Sequence, residues 1–253
     1  MSKDGEKAIK QRIDEWKYLD ADAYHYHKIQ WETPKRSTVA FANFARDNLL
    51  KSKNVIDLGA GAGAATAYLA KIYSHCKFTA FDWNNELTQI GRGMALEREI
   101  ANCQFEQGDW FNLGETGEYD GVISLQTLSW LHDYKAALDA IFSKIRPAWL
   151  AMSSLFYDGE ITCRIEVHEH KKDKKSFWNV YSIPEVSRLC NKYGYSLVKV
   201  SPFEIDIDIQ KPKNVDSMST YTRTLQTDNC NKQRIQISGP LLLNWQMLLI
   251  EKN

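Results

Sequence analysis

The chain has 253 residues, of which 43% are apolar, and its 32 acidic residues balance 32 lysines and arginines. A chain without net charge lacks the basic stripe that binding to long nucleic acid requires, so we expect no such partner. The sequence has no run of about eighteen apolar residues, which argues against a membrane span, and its N-terminus lacks the apolar core of a secretion signal. Five cysteines without a C-x-x-C pair are typical of reduced thiols, and we expect a cytoplasmic protein.

An aromatic-rich segment precedes the first predicted strand. Between residues 15 and 35 it contains Trp16, Tyr18, Tyr24, His25, Tyr26, His27 and Trp31. We interpret the segment as a cap, and the alternative is that its rings only pack it onto the sheet. A helix with an apolar face follows, from about Ser37 to Leu50. Residues 1–50 are thus the predicted cap and lead-in helix.

A glycine-rich turn follows the first strand, in the stretch NVIDLGAGAGAAT at residues 54–66. Its apolar residues predict a buried parallel strand, and the run from Ala64 to Ala70 predicts a helix. Glycine lets the backbone of the turn approach a ligand closely. Read as G-x-G-x-x-A, the turn fits a dinucleotide site. The negative charge of Asp57 would repel a pyrophosphate, but its carboxylate suits the cationic amino-acid end of S-adenosylmethionine.

Three further strand ends carry polar or aromatic residues. The strand Lys77–Phe81 runs into Asp82 and Trp83, and an acid at this distance from the glycines binds a ribose diol in either class of cofactor. The strand Cys103–Gln107 runs into Gly108, Asp109 and Trp110. A fourth strand, from Tyr119 to Leu125, is followed by Gln126 and Thr127. Taken singly, the two aspartates are equally typical of local caps or turns, and either tryptophan is typical of a core.

Together, these four motifs resemble the class I S-adenosylmethionine-dependent methyltransferases over residues 53–155. The resemblance implies an α/β fold: a Rossmann-like sheet of seven strands whose last strand is antiparallel, with an N-terminal cap and inserted β-hairpin elements. It also implies that Trp83 packs on the adenine of the cofactor and that Gly108 and Asp109 contact the same adenine. The predicted cofactor residues are Asp57, Gly59, Ala60, Gly61, Asp82, Trp83, Gly108, Asp109, Trp110, Leu125 and Gln126.

The loop after the fourth strand carries the predicted catalytic residue. In an open α/β sheet this loop faces the ligand crevice, which places His132 and Asp133 near the transferred methyl group. Neutral imidazole accepts a proton near neutral pH, so we predict that His132 is a general base. The alternative is that Asp133 caps the next helix, Tyr134 to Lys144, and that His132 packs beneath it. A fifth strand is predicted from Trp149 to Leu155.

The segment from Ile161 to His170 alternates apolar and polar residues, as an inserted strand does. Arg164 and His168 lie on its polar face, and we predict that they contact the substrate. The alternative is that this polar face is only a solvated strand face. A metal site formed by Glu166, His168 and His170 is weaker still, because H-x-H fixes no third ligand, and we predict no metal. Residues 171–175 are the predicted exposed turn.

The C-terminal third completes the predicted sheet. It comprises a helix from Ile183 to Tyr193, a sixth strand from Tyr195 to Ile205 and a seventh from Leu241 to Ile250. A hairpin is predicted between them at residues 220–225 and 233–238, around a turn at residues 228–229. The methyltransferase domain is thus predicted at residues 51–253, with insertions at about 156–180 and 206–240. In the resembling family the last strand lies between the fifth and the sixth.

Sparser motifs at residues 30–32, 220–222 and 237–242 resemble a branch of methyltransferases from bacterial capsule and surface-polysaccharide gene clusters. The resemblance implies an O-methyltransferase for a small polar precursor, such as a sugar or a phosphoramidate-type group. Since the cap of such enzymes closes over the substrate, Tyr24, Tyr26, Trp31 and Tyr221 are predicted substrate contacts. The alternatives are an NAD-dependent oxidoreductase and a noncatalytic S-adenosylmethionine-binding protein. A nucleic-acid methyltransferase is disfavoured, because Asn/Asp-Pro-Pro-aromatic is missing after the fourth strand.

Overall fold

The computed structural model describes residues 21–114, 118–171, 173–205, 207–210, 220–226, 232–238 and 245–253. The predicted turn at residues 228–229, Trp16 and Tyr18 lie outside these ranges, as does the side chain of Tyr221. No helix in the described ranges combines the length and the apolar character needed to cross a bilayer.

The N-terminal part of the described chain alternates helices and strands. Its elements are α1 (Ala21–Ile29), α2 (Arg36–Phe44), α3 (Arg46–Lys51), β1 (Asn54–Leu58), α4 (Ala64–Ile72), β2 (Lys77–Asp82), α5 (Asn85–Glu97), β3 (Cys103–Gln107) and β4 (Gly121–Leu125).

The C-terminal part adds more strands than helices. Its elements are α6 (Tyr134–Ala140), β5 (Trp149–Tyr157), β6 (Glu166–Glu169), β7 (Lys174–Phe177), β8 (Tyr181–Ser182), α7 (Ile183–Lys192), β9 (Tyr195–Phe203), β10 (Thr220–Gln226), β11 (Lys232–Ser238) and β12 (Trp245–Lys252).

The main sheet has the strand order β3-β2-β1-β4-β5-β12-β9 within the described residues, and the short β8 pairs with the end of β5. The strands β3, β2, β1, β4 and β5 are parallel to one another. The last strand, β12, is antiparallel to both β5 and β9 and lies between them. This arrangement confirms the predicted Rossmann-like sheet with an antiparallel last strand.

Apolar residues cover both faces of the sheet. In β1, Val55 packs in one buried cluster with residues of α2 and α4, such as Phe41 and Leu69. Its neighbour Ile56 points to the opposite face, where it packs in a second cluster with α6 and α7. The central strands are therefore buried on both sides, and polar groups can reach a ligand only beyond their ends.

Three local features differ from the sequence predictions. The helix predicted from Ser37 to Leu50 is interrupted at Ala45, which has φ −94° and ψ 9°. The helix α6 ends in a π turn, Ile141–Ile145, which stops where Arg146 adopts φ +52°. The inserted segment is a hairpin rather than one strand: β6 pairs with β7, so that part of the predicted exposed turn belongs to β7. The domain boundary at residue 50 remains a prediction.

Candidate active site

The glycine-rich turn joins β1 to α4, and its glycines have positive φ: +76° at Gly59, +59° at Gly61 and +71° at Gly63. L-residues with a side chain rarely adopt this conformation. A Cβ on Gly63 would also lie 2.3 Å from Cε1 of Phe105, so this ring occupies the space that a side chain would need. The turn therefore requires glycine for both backbone and packing reasons.

Asp57 lies at the end of β1 and is 1% exposed. The Thr66 hydroxyl donates a 2.6 Å hydrogen bond to Oδ2 of Asp57, while Oδ1 has no partner among the described residues. Burial is the main cause that raises the pKa of Asp57 to about 7; the Thr66 hydrogen bond acts against it, and the nearby charge of Asp82 adds to it. A buried carboxylate oxygen without a partner is suited to bind a cationic ligand group.

Asp82 links the glycine turn to the next helix. Its Oδ2 accepts a hydrogen bond of 2.7 Å from the Gly61 amide, and its Oδ1 accepts one of 2.8 Å from the Asn84 amide. Burial raises the pKa of Asp82, whereas these two hydrogen bonds lower it. Each carboxylate oxygen has capacity for another hydrogen bond, so a ribose diol remains a suitable ligand at the end of β2.

A cavity opens beside the turn, at the carboxyl ends of β1 and β4. Five of the predicted cofactor residues line it together with five residues from the segments before and after β1. The lining comprises Gln30, Lys35, Ser37, Thr38, Asp57, Gly59, Ala60, Ala65, Leu125 and Gln126.

Gln126 holds an unusual backbone conformation at this cavity, with φ +61°. Its amide N–H donates a 2.7 Å hydrogen bond to the Ser153 carbonyl, which stabilises this conformation. Its side-chain Nε2 donates a 3.3 Å hydrogen bond to Oγ of Ser37, the second residue of α2. Positive φ is uncommon in a residue other than glycine. Here the hydrogen bond to Ser37 links the end of β4 to α2.

The cap lies directly over the glycine turn. Cε1 of His27 would be 3.2 Å from a Cβ on Gly61. The indole of Trp31 donates a 3.1 Å hydrogen bond to the Ala62 carbonyl and stacks on Phe105. Burial and, to a smaller extent, the positive charge of Lys35 lower the pKa of His27 to about 4. His27 is therefore neutral at physiological pH.

The predicted substrate contacts of the cap have different environments. Trp31 is 8% exposed, and its hydrogen bond to the turn holds the cap in place, as the packing alternative expected. Tyr24 and Tyr26 are 42% and 53% exposed, and a lysine ammonium group lies 4.9 Å from the centroid of each ring. These tyrosines remain accessible to an acceptor, and their role remains a prediction.

The predicted adenine-contacting residues lie at the ends of β2 and β3. Trp83 is half-buried and follows Asp82. A Cβ on Gly108 would lie 2.2 Å from Cζ of Phe81, so the end of β3 packs closely on β2. Oδ1 of Asp109 accepts a hydrogen bond from the Phe111 amide and caps a short 3₁₀ turn. The structure places the indole of Trp110 in the core and not in the cavity. There its N–H donates a hydrogen bond to the Ala137 carbonyl.

The loop after β4 places His132 between two aromatic rings. Its ring centroid is 5.5 Å from that of Phe111 and 6.3 Å from that of Phe177, which belongs to β7. Asp133 accepts a hydrogen bond from the Lys135 amide and caps α6, as the alternative interpretation expected. The inserted hairpin thus reaches the loop that carries the predicted base.

The polar face of the hairpin is exposed to solvent. Arg164 and His168 are both exposed, and Nε2 of His168 lies 3.1 Å from Oδ1 of Asp173. No group of three or more His, Cys, Asp or Glu side chains within the described ranges is arranged to hold a metal ion. The structure brings neither residue into the cavity beside the glycine turn, so a substrate role for them stays a prediction.

Sequence reasoning missed His27 and Lys35 as site residues. Neither belongs to a strand-end motif, because both lie in the segment before β1, and only the fold brings this segment to the turn. The available signals were the aromatic density of residues 24–31 and the T-P-K-R-S-T run that starts α2.

A family model described as "Methyltransferase domain" matches residues 49–222. The chain belongs to this methyltransferase family. The match confirms the predicted enzyme class, an S-adenosylmethionine-dependent methyltransferase, and with it the predicted cofactor.

This methyltransferase is similar to several characterised enzymes at low identity. It is 20% identical over 190 residues to malonyl-[acyl-carrier protein] O-methyltransferase from Priestia megaterium, which covers 71% of this chain and 68% of the relative. It is 29% identical over 129 residues to trans-aconitate 2-methyltransferase from Deinococcus radiodurans, a match that covers 50% of this chain and 45% of the relative. The crystal structure of magnesium protoporphyrin IX methyltransferase from Synechocystis PCC 6803 with bound S-adenosylhomocysteine has the same fold. Its TM-score is 0.55 at 13% identity, covering 96% of this chain and 92% of that chain.

Proposed function

We propose that this methyltransferase transfers a methyl group to an oxygen atom of a small polar acceptor. The observation that carries the cofactor part of the proposal is the buried Asp57, which lines the cavity between the glycine turn and the end of β4. Its Oδ1 has no hydrogen-bond partner among the described residues. The residues fit the cofactor: Asp57 would bind its ammonium group, and Asp82 its ribose. S-adenosylmethionine supplies the methyl group as a sulfonium, so the protein has to position the acceptor oxygen and exclude water.

For the acceptor we propose a hydroxyl or phosphoramidate-type group of a surface-polysaccharide precursor. The sparse motifs of that branch support it, and one of them, at residues 30–32, contributes Gln30 to the lining of the cavity. An alcohol oxygen must lose its proton during transfer, and His132 is the proposed base. Its contact with Phe177 places it beside the inserted hairpin, whose exposed Arg164 and His168 are the proposed acceptor contacts.

A second candidate is a carboxylate acceptor. The names of two relatives favour it, because malonyl and trans-aconitate groups both carry carboxylates. A carboxylate oxygen is already ionised at neutral pH and needs no general base. A hydroxyl acceptor therefore differs from a carboxylate acceptor in whether turnover requires His132.

The test is methyl transfer from S-adenosylmethionine to a panel of nucleotide sugars, sugar phosphoramidates and dicarboxylates. Release of S-adenosylhomocysteine and the mass of the product are measured together. Transfer to a sugar or phosphoramidate oxygen supports the first acceptor class, and transfer to dicarboxylates alone rejects it in favour of the second. Methylation at nitrogen or carbon would contradict O-methylation.

A further inference from the structure

The cavity beside the glycine turn is lined by side chains of both charges, Lys35 and Asp57. The Lys35 ammonium group donates a 2.7 Å hydrogen bond to the Tyr26 hydroxyl. In the described part of the chain, no salt bridge involves Lys35 or Asp57. Each charged group therefore retains capacity to bind a ligand group of opposite charge.

The N-terminus of α2 adds to the positive potential on the Lys35 side. This helix of nine residues starts directly after Lys35, and its first turn, which is fully described, has neither a side-chain cap nor an acidic residue. Ser37 and Thr38 of this turn line the same cavity. The N-terminus of a helix has unpaired N–H groups and the positive end of the helix dipole, which favour an anion.

The unpaired Oδ1 of the almost fully buried Asp57 is an independent sign of a ligand. Removing a carboxylate from water without a counter-charge is unfavourable, and a ligand cation relieves this cost. A ligand with one cationic and one anionic group would satisfy both ends of the cavity. An α-amino acid group has this chemistry.

We infer that Lys35 and the N-terminus of α2 bind the carboxylate of the cofactor's amino-acid group, while Asp57 binds its ammonium group. The inference rests on the proposed function and names the residue that makes the site specific for a zwitterion. Lys35 is thus a cofactor-binding residue supplied by the segment before β1.

The test compares two ligands that differ only in this carboxylate, S-adenosylhomocysteine and its decarboxylated analogue. Dissociation constants are measured by calorimetry for the wild type and for Lys35→Gln. A hydrogen bond to a charged group contributes enough for roughly a tenfold or larger preference of the wild type for S-adenosylhomocysteine. Lys35→Gln should lose most of that preference, because its affinity falls only for the ligand with the carboxylate.

Lys28→Gln is the matched control. Lys28 lies 4.9 Å from the centroid of the Tyr24 ring, just as Lys35 lies 4.9 Å from that of Tyr26, but Lys28 does not line the cavity. Removing this charge should leave both dissociation constants unchanged. Lys35→Arg, which keeps the charge, should retain most of the preference.

Three results would overturn the inference. Equal affinity of the wild type for both ligands would show that no residue binds the carboxylate, and this result needs no variant to fold. An unchanged preference in Lys35→Gln would assign the carboxylate to other groups. An unchanged affinity of Lys35→Gln for S-adenosylhomocysteine with a raised KM for the acceptor would place Lys35 in the acceptor site. If neither ligand binds the wild type, the proposed function fails, and the inference fails with it.

Discussion

Asp57→Asn tests whether the buried carboxylate is kept for ligand binding at the expense of stability. Its pKa of about 7 lies about 3 pH units above the ordinary value of 3.8, and each unit corresponds to about 1.36 kcal/mol. The native state therefore binds the proton more tightly than the unfolded chain does. The wild-type free energy of unfolding should fall as pH rises from 4 towards 7 and level off above, by about 4 kcal/mol in total.

The asparagine variant lacks this titration. Its amide oxygen can still accept a hydrogen bond from the Thr66 hydroxyl. Its buried NH₂ group, however, lowers the free energy of unfolding by on the order of 1 to 3 kcal/mol. We expect a net gain of about 2 kcal/mol at pH 8, which raises the Tm by roughly 4 to 8 °C for a domain of this size. At pH 5 the gain should largely vanish, because the wild-type carboxyl is then mostly protonated.

The assay is urea unfolding of both proteins at pH 5 and pH 8, with S-adenosylhomocysteine affinity measured in parallel. The stabilised variant should bind S-adenosylhomocysteine at least tenfold more weakly at pH 8, because the ammonium group loses its counter-charge. Wild-type affinity should rise with pH between 6 and 8 as Asp57 ionises. An equal stability change at both pH values, or an unaltered affinity of the variant for S-adenosylhomocysteine, would show that Asp57 is not a buried ligand-binding carboxylate.

Three further predictions concern packing, catalysis and metals. Gly91→Ala should destabilise the protein by about 1 to 3 kcal/mol in urea unfolding, because its Cβ would lie 2.2 Å from Cε1 of Phe105. Gly93→Ala in the same helix is its control and should be neutral or stabilising by up to about 1 kcal/mol, since its Cβ meets nothing within 4 Å. His132→Gln should lower turnover of an alcohol acceptor by about a hundredfold or more while cofactor affinity stays nearly constant, and a tenfold or smaller loss would remove His132 as base. Turnover should survive EDTA. A loss of turnover in EDTA that added zinc or magnesium restores would reveal a metal site.

Much of the sheet was predictable because its strands are short apolar or alternating runs, and β1, β2 and β3 are each followed by or end at glycine or an acid. Strand β3 was predicted with its observed bounds, Cys103–Gln107. Details set by tertiary contacts were not predictable, such as the break at Ala45. The sequence interpretation also left out α5, although Asn84 caps its first turn through the amides of Glu86 and Leu87.

The candidate site was predictable where its residues lie at strand ends. Asp57, Gly59 and Gln126 share one cavity because β1 and β4 are neighbours in the sheet. Trp110 shows the limit of this reasoning, since the position after Asp109 points into the core. Lys35 shows the converse, because a lysine before a helix has no signature until the fold brings it to the cavity.

The most direct test of the cofactor assignment is calorimetric titration of the wild-type protein with S-adenosylhomocysteine and, separately, with NAD. We expect a stoichiometric complex with S-adenosylhomocysteine and no measurable heat from specific binding of NAD. Tighter binding of NAD would contradict the cofactor assignment, because it would mean that the turn at Gly59–Gly63 holds a pyrophosphate beside Asp57. Absence of binding by S-adenosylhomocysteine would contradict it equally.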